Sequence, residues 1–462
     1  MFSRQLYIQR RLVLKQKMGQ GIILFLGNEE SPMNYPDNTY HFRQHSSFLY
    51  YFGLDRPSLA AVIDLDSGQE TIYGDEMTID EIVWMGNRTS IREEAEMVGV
   101  PEVVPTVKLY TVLREANAAG RSIHFLPPYR PENKIKILRL LNIRPDQFTA
   151  KSSEELVRAV ISQREIKDNE EIVEIDKAVN LTVDMHVAAM RYARPGMRES
   201  EVAARVTQVV LEREGQLSFP VIASVNGQIL HNHNHGNLLK KGQLFLLDAG
   251  AETPLHYAGD LTSTFPVSTH FRSKQREIYQ VVLDAHQKAA AMLRPGIEYK
   301  EVHFEAARII FNGLKDIGLT KGNTEEAIAQ GAHALFFPTG LGHMMGLDVH
   351  DMEDLGELNV GYNPGETKST QFGLKSLRLA KELKAGHVLT VEPGIYFIPE
   401  LFKMWRDEKK FEDFINYKKV KSYMSFGGVR IEQDYLITKK GNRLLGRKKP
   451  MEINEIEELR SH

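Results

Sequence analysis

The sequence predicts an α/β (α+β) chain of two domains, the second assembled from two related halves. Three observations carry this. Short apolar runs bounded by turn residues fill the first third of the chain. A long helical stretch, Ser153 to Arg191, closes that region. Beyond it, two pieces of sequence recur in the same order.

In the first region, Gly21–Leu26, Leu59–Asp64, Glu70–Tyr73 and Ser122–Leu126 read as strands, and Pro131–Asn142 as a helix. Within Ser153–Arg191, Ile172, Ile175, Val179 and Val183 follow at three- and four-residue steps, and Ser152 and Ser153 precede Glu154 and Glu155 as a helix-start signal. The junction is placed near residue 160, giving domains 1–160 and 161–462. In the second domain, Arg194-Pro195-Gly196 followed by Glu201-Val202 recurs as Arg294-Pro295-Gly296 followed by Glu301-Val302. Each copy leads into an amphipathic helix ending near a glycine, Gly215 or Gly318. The frame from Lys241-Gly242 to Asp248-Ala249-Gly250 likewise matches that from Ala385-Gly386 to Glu392-Pro393-Gly394. Each is a turn glycine, a buried strand and one acid. Two halves facing each other would point those acids at a shared interface, where sites form.

Bulk properties narrow the function. Of 462 residues, 42% are hydrophobic and 26% charged, which permits large cores. A formal net charge of −3 argues against a nucleic-acid grip. The chain has no cysteine, which excludes disulfides, thiolate nucleophiles and Cys-ligated zinc. Met1–Lys17 lacks the apolar core of a secretion signal, and no run has the length of a membrane span. The expectation is a cytoplasmic protein with no membrane or nucleic-acid partner.

The chemistry-bearing residues are carboxylates and histidines. Asp248 ends the apolar run Leu244–Leu247, where an acid is expensive to bury uncompensated; it either caps a loop or serves a cation. Asp260 follows twelve residues later, and a hairpin turning at Glu252–Ala258 would set the two acids side by side. Paired carboxylates repel, so a cation is a natural third party. His343 and His350 lie seven apart among Gly340, Gly342 and Gly346, with Asp348 and Asp351 between and after them. Glu392 closes a second buried run, and alternation sets Arg430, Glu432 and Asp434 on one strand face. That face is either solvent-exposed or part of a site. His231, His233 and His235 read as a polar loop with one useful histidine rather than a metal ribbon. Four acids with one imidazole suit hard or borderline divalent ions: manganese first, then cobalt, iron or zinc. Two such ions about 3.5–4 Å apart would hold a hydroxide able to attack a carbonyl carbon.

These segments resemble aminopeptidase P and prolidase, the creatinase-like branch of the pita-bread metallopeptidases. The resemblance rests on Ile229-Leu230-His231, Leu247–Gly250, Gly259–Thr262, Gly340–His343, Asp348–Asp351, Val391–Tyr396 and Gly428–Glu432, in order, together with Phe42–Phe48 and Trp84-Met85-Gly86. It implies a creatinase-like N-terminal domain and a pita-bread catalytic domain with an internal pseudo-two-fold repeat. It implies two divalent metal ions: Asp248 chelating one, Asp260 and Glu432 bridging both, His343 and Glu392 ligating the second. Glu392 would also be general base, while His231 and His350 would bind the substrate carbonyl and developing oxyanion. Arg430 would orient acids and substrate, and Tyr396 would assist at the substrate.

The implied activity is release of the N-terminal residue from peptides with proline second. The alternative is an Xaa-Pro dipeptidase, to which Gly373–Ala380 and Phe402–Phe426 lend some likeness. A metal-free binding module is a remote third, since all five ligand positions carry ligand-type residues. The family often has a histidine four residues before the metal histidine; Thr339 stands there and bears on substrate contacts, not on the metal. The resemblance further implies a homo-oligomer, dimer or tetramer, with Trp84 reaching a neighbouring subunit's site.

Overall fold

In the computed structural model, residues 1–461 are described and divide into two compact units. The first is Met1–Arg164 with Met352–Gly356; the second is Glu165–Asp351 with the chain from Glu357 onward. No described helix is long and apolar enough to cross a membrane.

The first unit is built on a five-stranded sheet in the order β4-β3-β2-β1-β5. Its strands are β1 (Ile22–Leu26), β2 (Ala60–Asp64), β3 (Glu70–Tyr73), β4 (Glu102–Val104) and β5 (Ile123–Phe125). β2 runs antiparallel to β1 and β3, whereas β5 is parallel to β1 and β4 to β3. Four of the strands fall within the runs read from sequence. β4 does not: three half-buried residues between Pro101 and Pro105 are too short to show alternation. Ile22, Leu24, Val62, Tyr73, Leu113, Phe125 and Ile137 pack one core. The helix Ile79–Met85 starts at a Thr78–Glu81 capping box and buries none of its residues.

The expected continuous helix over Ser153–Arg191 is two helices, Glu154–Arg164 and Asn169–Tyr192. Ser153 caps the first, its hydroxyl accepting the Leu156 N–H at 3.2 Å. Between them the backbone leaves the helical path, and Lys167 N–H donates to the Gly386 carbonyl. Asp168 then restarts the helix by exchanging bonds with Glu171. Periodicity alone misses such a break because the apolar positions continue across it.

The second unit repeats itself in space as in sequence. Gly196 N–H bonds the Leu239 carbonyl and Leu239 N–H bonds that of Met197; Gly296 with Leu383, and Leu383 with Ile297, do the same. In both copies the glycine is left-handed, at φ 94 and 84. Each leads into a helix, Glu199–Leu211 or Tyr299–Asp316, packed on a preceding long one, Asn169–Tyr192 or Ser273–Met292.

Strands from both halves meet at the centre. Antiparallel β10 (Leu261–Pro266), β8 (Leu244–Ala249) and β7 (Ile222–Ser224) form one sheet, and β6 (Gln216–Leu217) pairs with β9 (Ala251–Glu252). From the other half come β11 (Val388–Val391), β14 (Gln433–Ile437) and β15 (Asn442–Leu444), with β12 (Gly394–Tyr396) paired to β13 (Gly428–Arg430). Thr264 joins the halves, its hydroxyl donating to the Arg430 carbonyl and accepting the Arg430 N–H.

Four histidines of this unit, His186, His286, His303 and His333, are buried, and burial holds each well below the ordinary imidazole range, to about 3 or about 4. Both ring nitrogens of His303 lack a hydrogen-bond partner, and its ring packs on Phe337 at 5.2 Å. The folded state therefore keeps these rings neutral while the unfolded chain protonates them below an ordinary value of 6.5, so stability is lost as pH falls through that range. His303→Leu is expected to reduce the stability loss between pH 7 and 5 by about 2 kcal/mol, read from urea midpoints at the two pH values. An unchanged pH dependence would remove His303 from this account.

Candidate active site

Asp248 occupies β8 at the register position of Thr262 on β10, and Asp260 immediately precedes β10. The hairpin expected from their spacing is the one observed. Its tight end requires Gly250, where a Cβ would come within 2.0 Å of the Gly259 carbonyl. Asp260 is fixed from behind, its N–H donating to the buried Asp434 carboxylate at 3.1 Å.

His343 lies in an irregular segment rather than on a helix. That segment runs alongside β11: Thr390 N–H bonds the His343 carbonyl and Glu392 N–H bonds the Leu341 carbonyl. The approach is so close that a Cβ at Gly342 would meet the Thr390 carbonyl oxygen at 2.2 Å. His343 and Glu392 are thereby set side by side, Nε2 to Oε1 at 3.6 Å, with Asp260 Oδ2 at 3.3 Å from the same nitrogen. Glu432 sits in the two-residue break between β13 and β14 and accepts from the Thr262 hydroxyl at 2.7 Å. Arg430, Glu432 and Asp434 thus do not share one continuous strand face; the segment switches pairing partner from β12 to β11 at the break.

Arg430 is the cation among these acids, and it is buried. It donates to Asp248, to the Thr262 hydroxyl at 3.0 Å and to the Tyr396 hydroxyl at 3.0 Å. Tyr396 is buried against this guanidinium and accepts its hydrogen bond. The cavity, about 440 Å³, brings together Asp248, Asp260, His343, Glu392 and Glu432 with Arg430, His231 and His350. Phe219, Pro220, Ile222, Leu230 and Val349 give it an apolar wall. The His343 and His350 rings lie 4.0 Å apart. Trp84 belongs to the first unit, on Ile79–Met85, with 84% of its surface exposed.

Ser376 and Arg378, within the segment Gly373–Ala380, line the wall with no role read for them individually from sequence, and Thr339, in the place of the family's histidine, joins them with a buried hydroxyl that lacks a partner. Thr262 and Thr390 organise the ligands from behind, Thr390 accepting the His343 N–H at 3.2 Å. Three consecutive polar residues, Thr262, Ser263 and Thr264, on a fully buried strand were one hint in the sequence. His233 lines the cavity beside His231, whereas His235 anchors the loop through the Val221 carbonyl.

The electrostatics call for a cation. Burial, then neighbouring carboxylates, push Asp260 and Glu432 well above the usual carboxylate range, and burial raises Glu392. Asp248 Oδ1 and Asp260 Oδ1 are buried without a hydrogen-bond partner. His343 Nδ1 donates to the Met344 carbonyl at 3.0 Å, which orients Nε2 toward two carboxylate oxygens. Facing lone pairs repel alone and form a coordination sphere around a metal. One ligand atom each from Asp260, His343 and Glu432 lies within 4.8 Å of the others. These residues fit a divalent metal ion.

A double-layered pita-bread core with acids and one imidazole converging on such a cavity defines a metal-dependent hydrolase. The chain belongs to metallopeptidase family M24, which matches residues 173–439, and residues 7–124 match the aminopeptidase P N-terminal domain. A probable Xaa-Pro aminopeptidase of Aspergillus niger is 30% identical across 97% of this chain and 96% of its own length. One from Fusarium vanettenii is 32% identical across 91% and 88%. The zinc-substituted aminopeptidase P of Escherichia coli in complex with product superposes with a TM-score of 0.82 at 28% identity, covering 100% of this chain and 98% of that one; the same enzyme with the inhibitor Pro-Leu matches equally.

Removing Arg430 would leave Asp248 and its neighbours buried without their cation. Arg430→Met is expected to destabilise the metal-free protein by about 3 kcal/mol, measured by chemical denaturation. A change below about 1 kcal/mol would show that the guanidinium does not compensate these charges.

Proposed function

We propose that this protein is a dinuclear-metal aminopeptidase that releases the N-terminal residue from peptides with proline in second position. The observation that carries the reading is the convergence of Asp248, Asp260, His343, Glu392 and Glu432 in one cavity beside an apolar wall suited to a proline ring. These five residues would hold two divalent ions, manganese foremost, given four carboxylates and one imidazole. Bound there, the ions would supply Lewis acidity and an activated water.

The chain's own residues do the rest. His231 and His350 line the cavity where a scissile carbonyl would sit and would donate to its oxygen as charge develops. Glu392, raised by burial, is the general base and passes the proton to the leaving amine. Arg430 holds Asp248 and, through the Thr262 hydroxyl, Glu432 in place. Tyr396 braces Arg430. The exposed Trp84 would act across a subunit boundary in a homo-oligomer, narrowing the cleft to short peptides; a cytoplasmic location accords with a chain free of cysteine.

A dipeptidase is the second reading, favoured by one feature: Arg378 on the cavity wall offers a cation to the carboxylate of a dipeptide. The manganese-loaded protein should be assayed on an Xaa-Pro dipeptide and an Xaa-Pro-Xaa tripeptide. Cleavage of the tripeptide before proline is expected. Cleavage of the dipeptide alone would establish the second reading, and cleavage of neither, with metal bound, would end both.

His350→Ala is expected to keep metal content while lowering kcat by about 10²-fold, and Trp84→Ala to weaken peptide turnover with metal content unchanged. Metal analysis and steady-state kinetics check both. A normal kcat would remove His350 from the oxyanion role.

A further inference from the structure

Behind the carboxylates, on the side away from the cavity, lies a buried lysine that the catalytic reading does not use. Lys449 follows β15 and is 1% exposed. Its ammonium donates to the carbonyl oxygens of Thr262 and, at 2.9 Å, of Glu432. The Thr262 carbonyl also accepts the Glu432 N–H at 3.2 Å, and the Thr262 hydroxyl donates to the Glu432 carboxylate. β10 and β14 belong to different sheets, so no ladder holds Thr262 against Glu432. These few bonds do. The companion contact is Asp434, fully buried, which receives the Asp260 N–H.

An ammonium taken wholly out of water is costly, and an apolar side chain of equal length would fill the same space. The lysine lies in the field of Glu432, Asp434, Asp248 and Asp260, but its hydrogen bonds go to the two carbonyls. One comes from the strand that follows Asp260, the other from Glu432 itself, so the lysine joins the two segments bearing carboxylates from opposite halves of the unit. We propose that Lys449 is a positioning residue that fixes Glu432 against Asp260 and His343 and thereby sets metal affinity. This rests on the metal-site reading above. It assigns no contact with substrate or metal to Lys449.

The test is direct titration of the metal-free protein with Mn2+, together with melting of the metal-free form. Lys449→Met is expected to weaken Mn2+ binding by about 10–100-fold, the usual consequence of losing a group that orients ligands. The control Lys448→Met, at an exposed neighbour paired with Glu455, is expected to bind as the parent does. A lower melting temperature with unchanged or tighter Mn2+ binding would overturn the proposal, since that is the signature of a purely structural or charge-offsetting lysine. If Lys449→Met does not fold, Lys449→Gln decides: its side chain is shorter and uncharged, so weaker Mn2+ binding supports the proposal and parental binding overturns it. Failure of the parent itself to bind Mn2+ would bring down the metal reading and this inference with it. Parental binding in the Met variant would bring down this inference alone.

Discussion

Everything in the second unit is arranged around one unfavourable interaction: four carboxylates crowded into a largely buried cavity with one buried guanidinium, that of Arg430, bonded among them. Burial disfavours each ionised carboxylate, and like charges close by in a low dielectric do not all ionise, which is why Asp260 and Glu432 are held well above the ordinary range. The fold supports this crowding by anchoring three of the acids through an atom that leaves another oxygen uncommitted. Asp248 is held by Arg430, Glu432 by the Thr262 hydroxyl, and Asp260 through its backbone N–H. Asp248 Oδ1 and Asp260 Oδ1 are left buried without partners. A site built to bind only protons would satisfy them.

The internal repeat explains how such crowding can be assembled. Each half contributes a buried strand that delivers an acid at its end, Asp248 from β8 and Glu392 just past β11. The repulsion between Asp248 and Asp260 is joined by that of Glu392 and Glu432 when the halves meet, where the Thr264–Arg430 bonds and the β10 to β14 contacts resist it. Glycines matter here for space rather than for freedom. Gly250 and Gly342 admit a neighbouring carbonyl where any side chain would collide.

Much of this was legible in the sequence, for a physical reason. An acid at the end of an apolar run has few innocent explanations, so Asp248 and Glu392 stood out, and the echo of the Arg-Pro-Gly turns exposed the repeat. The spacing of Asp248 and Asp260 gave the hairpin because two residues on adjoining antiparallel strands have few other ways to meet. The rest was hidden where information is carried by geometry alone. The break at Glu165–Asp168 keeps helical periodicity on both sides. Tyr396 sits in a motif beside Glu392, yet register with β13 turns it onto Arg430. Lys449 lies in a lysine-rich tail whose other members are ordinary surface cations, and no pattern distinguishes the one that is buried.

That last case shows what holds a charged site open. Removing repulsion would be simple: replace an acid by an amide and the halves would pack more tightly. The chain instead keeps the acids and places its restraining contacts on backbone atoms, the carbonyls of Thr262 and Glu432 and the N–H of Asp260. Restraint through the backbone leaves the carboxylate oxygens uncommitted, whereas restraint through the side chains would occupy the lone pairs a cation needs. Arg430 and Thr262 are the exceptions, and each engages one oxygen of its acid. The division of labour follows: main chain and buried lysine fix position, the guanidinium compensates charge, and the remaining oxygens stay available for metal.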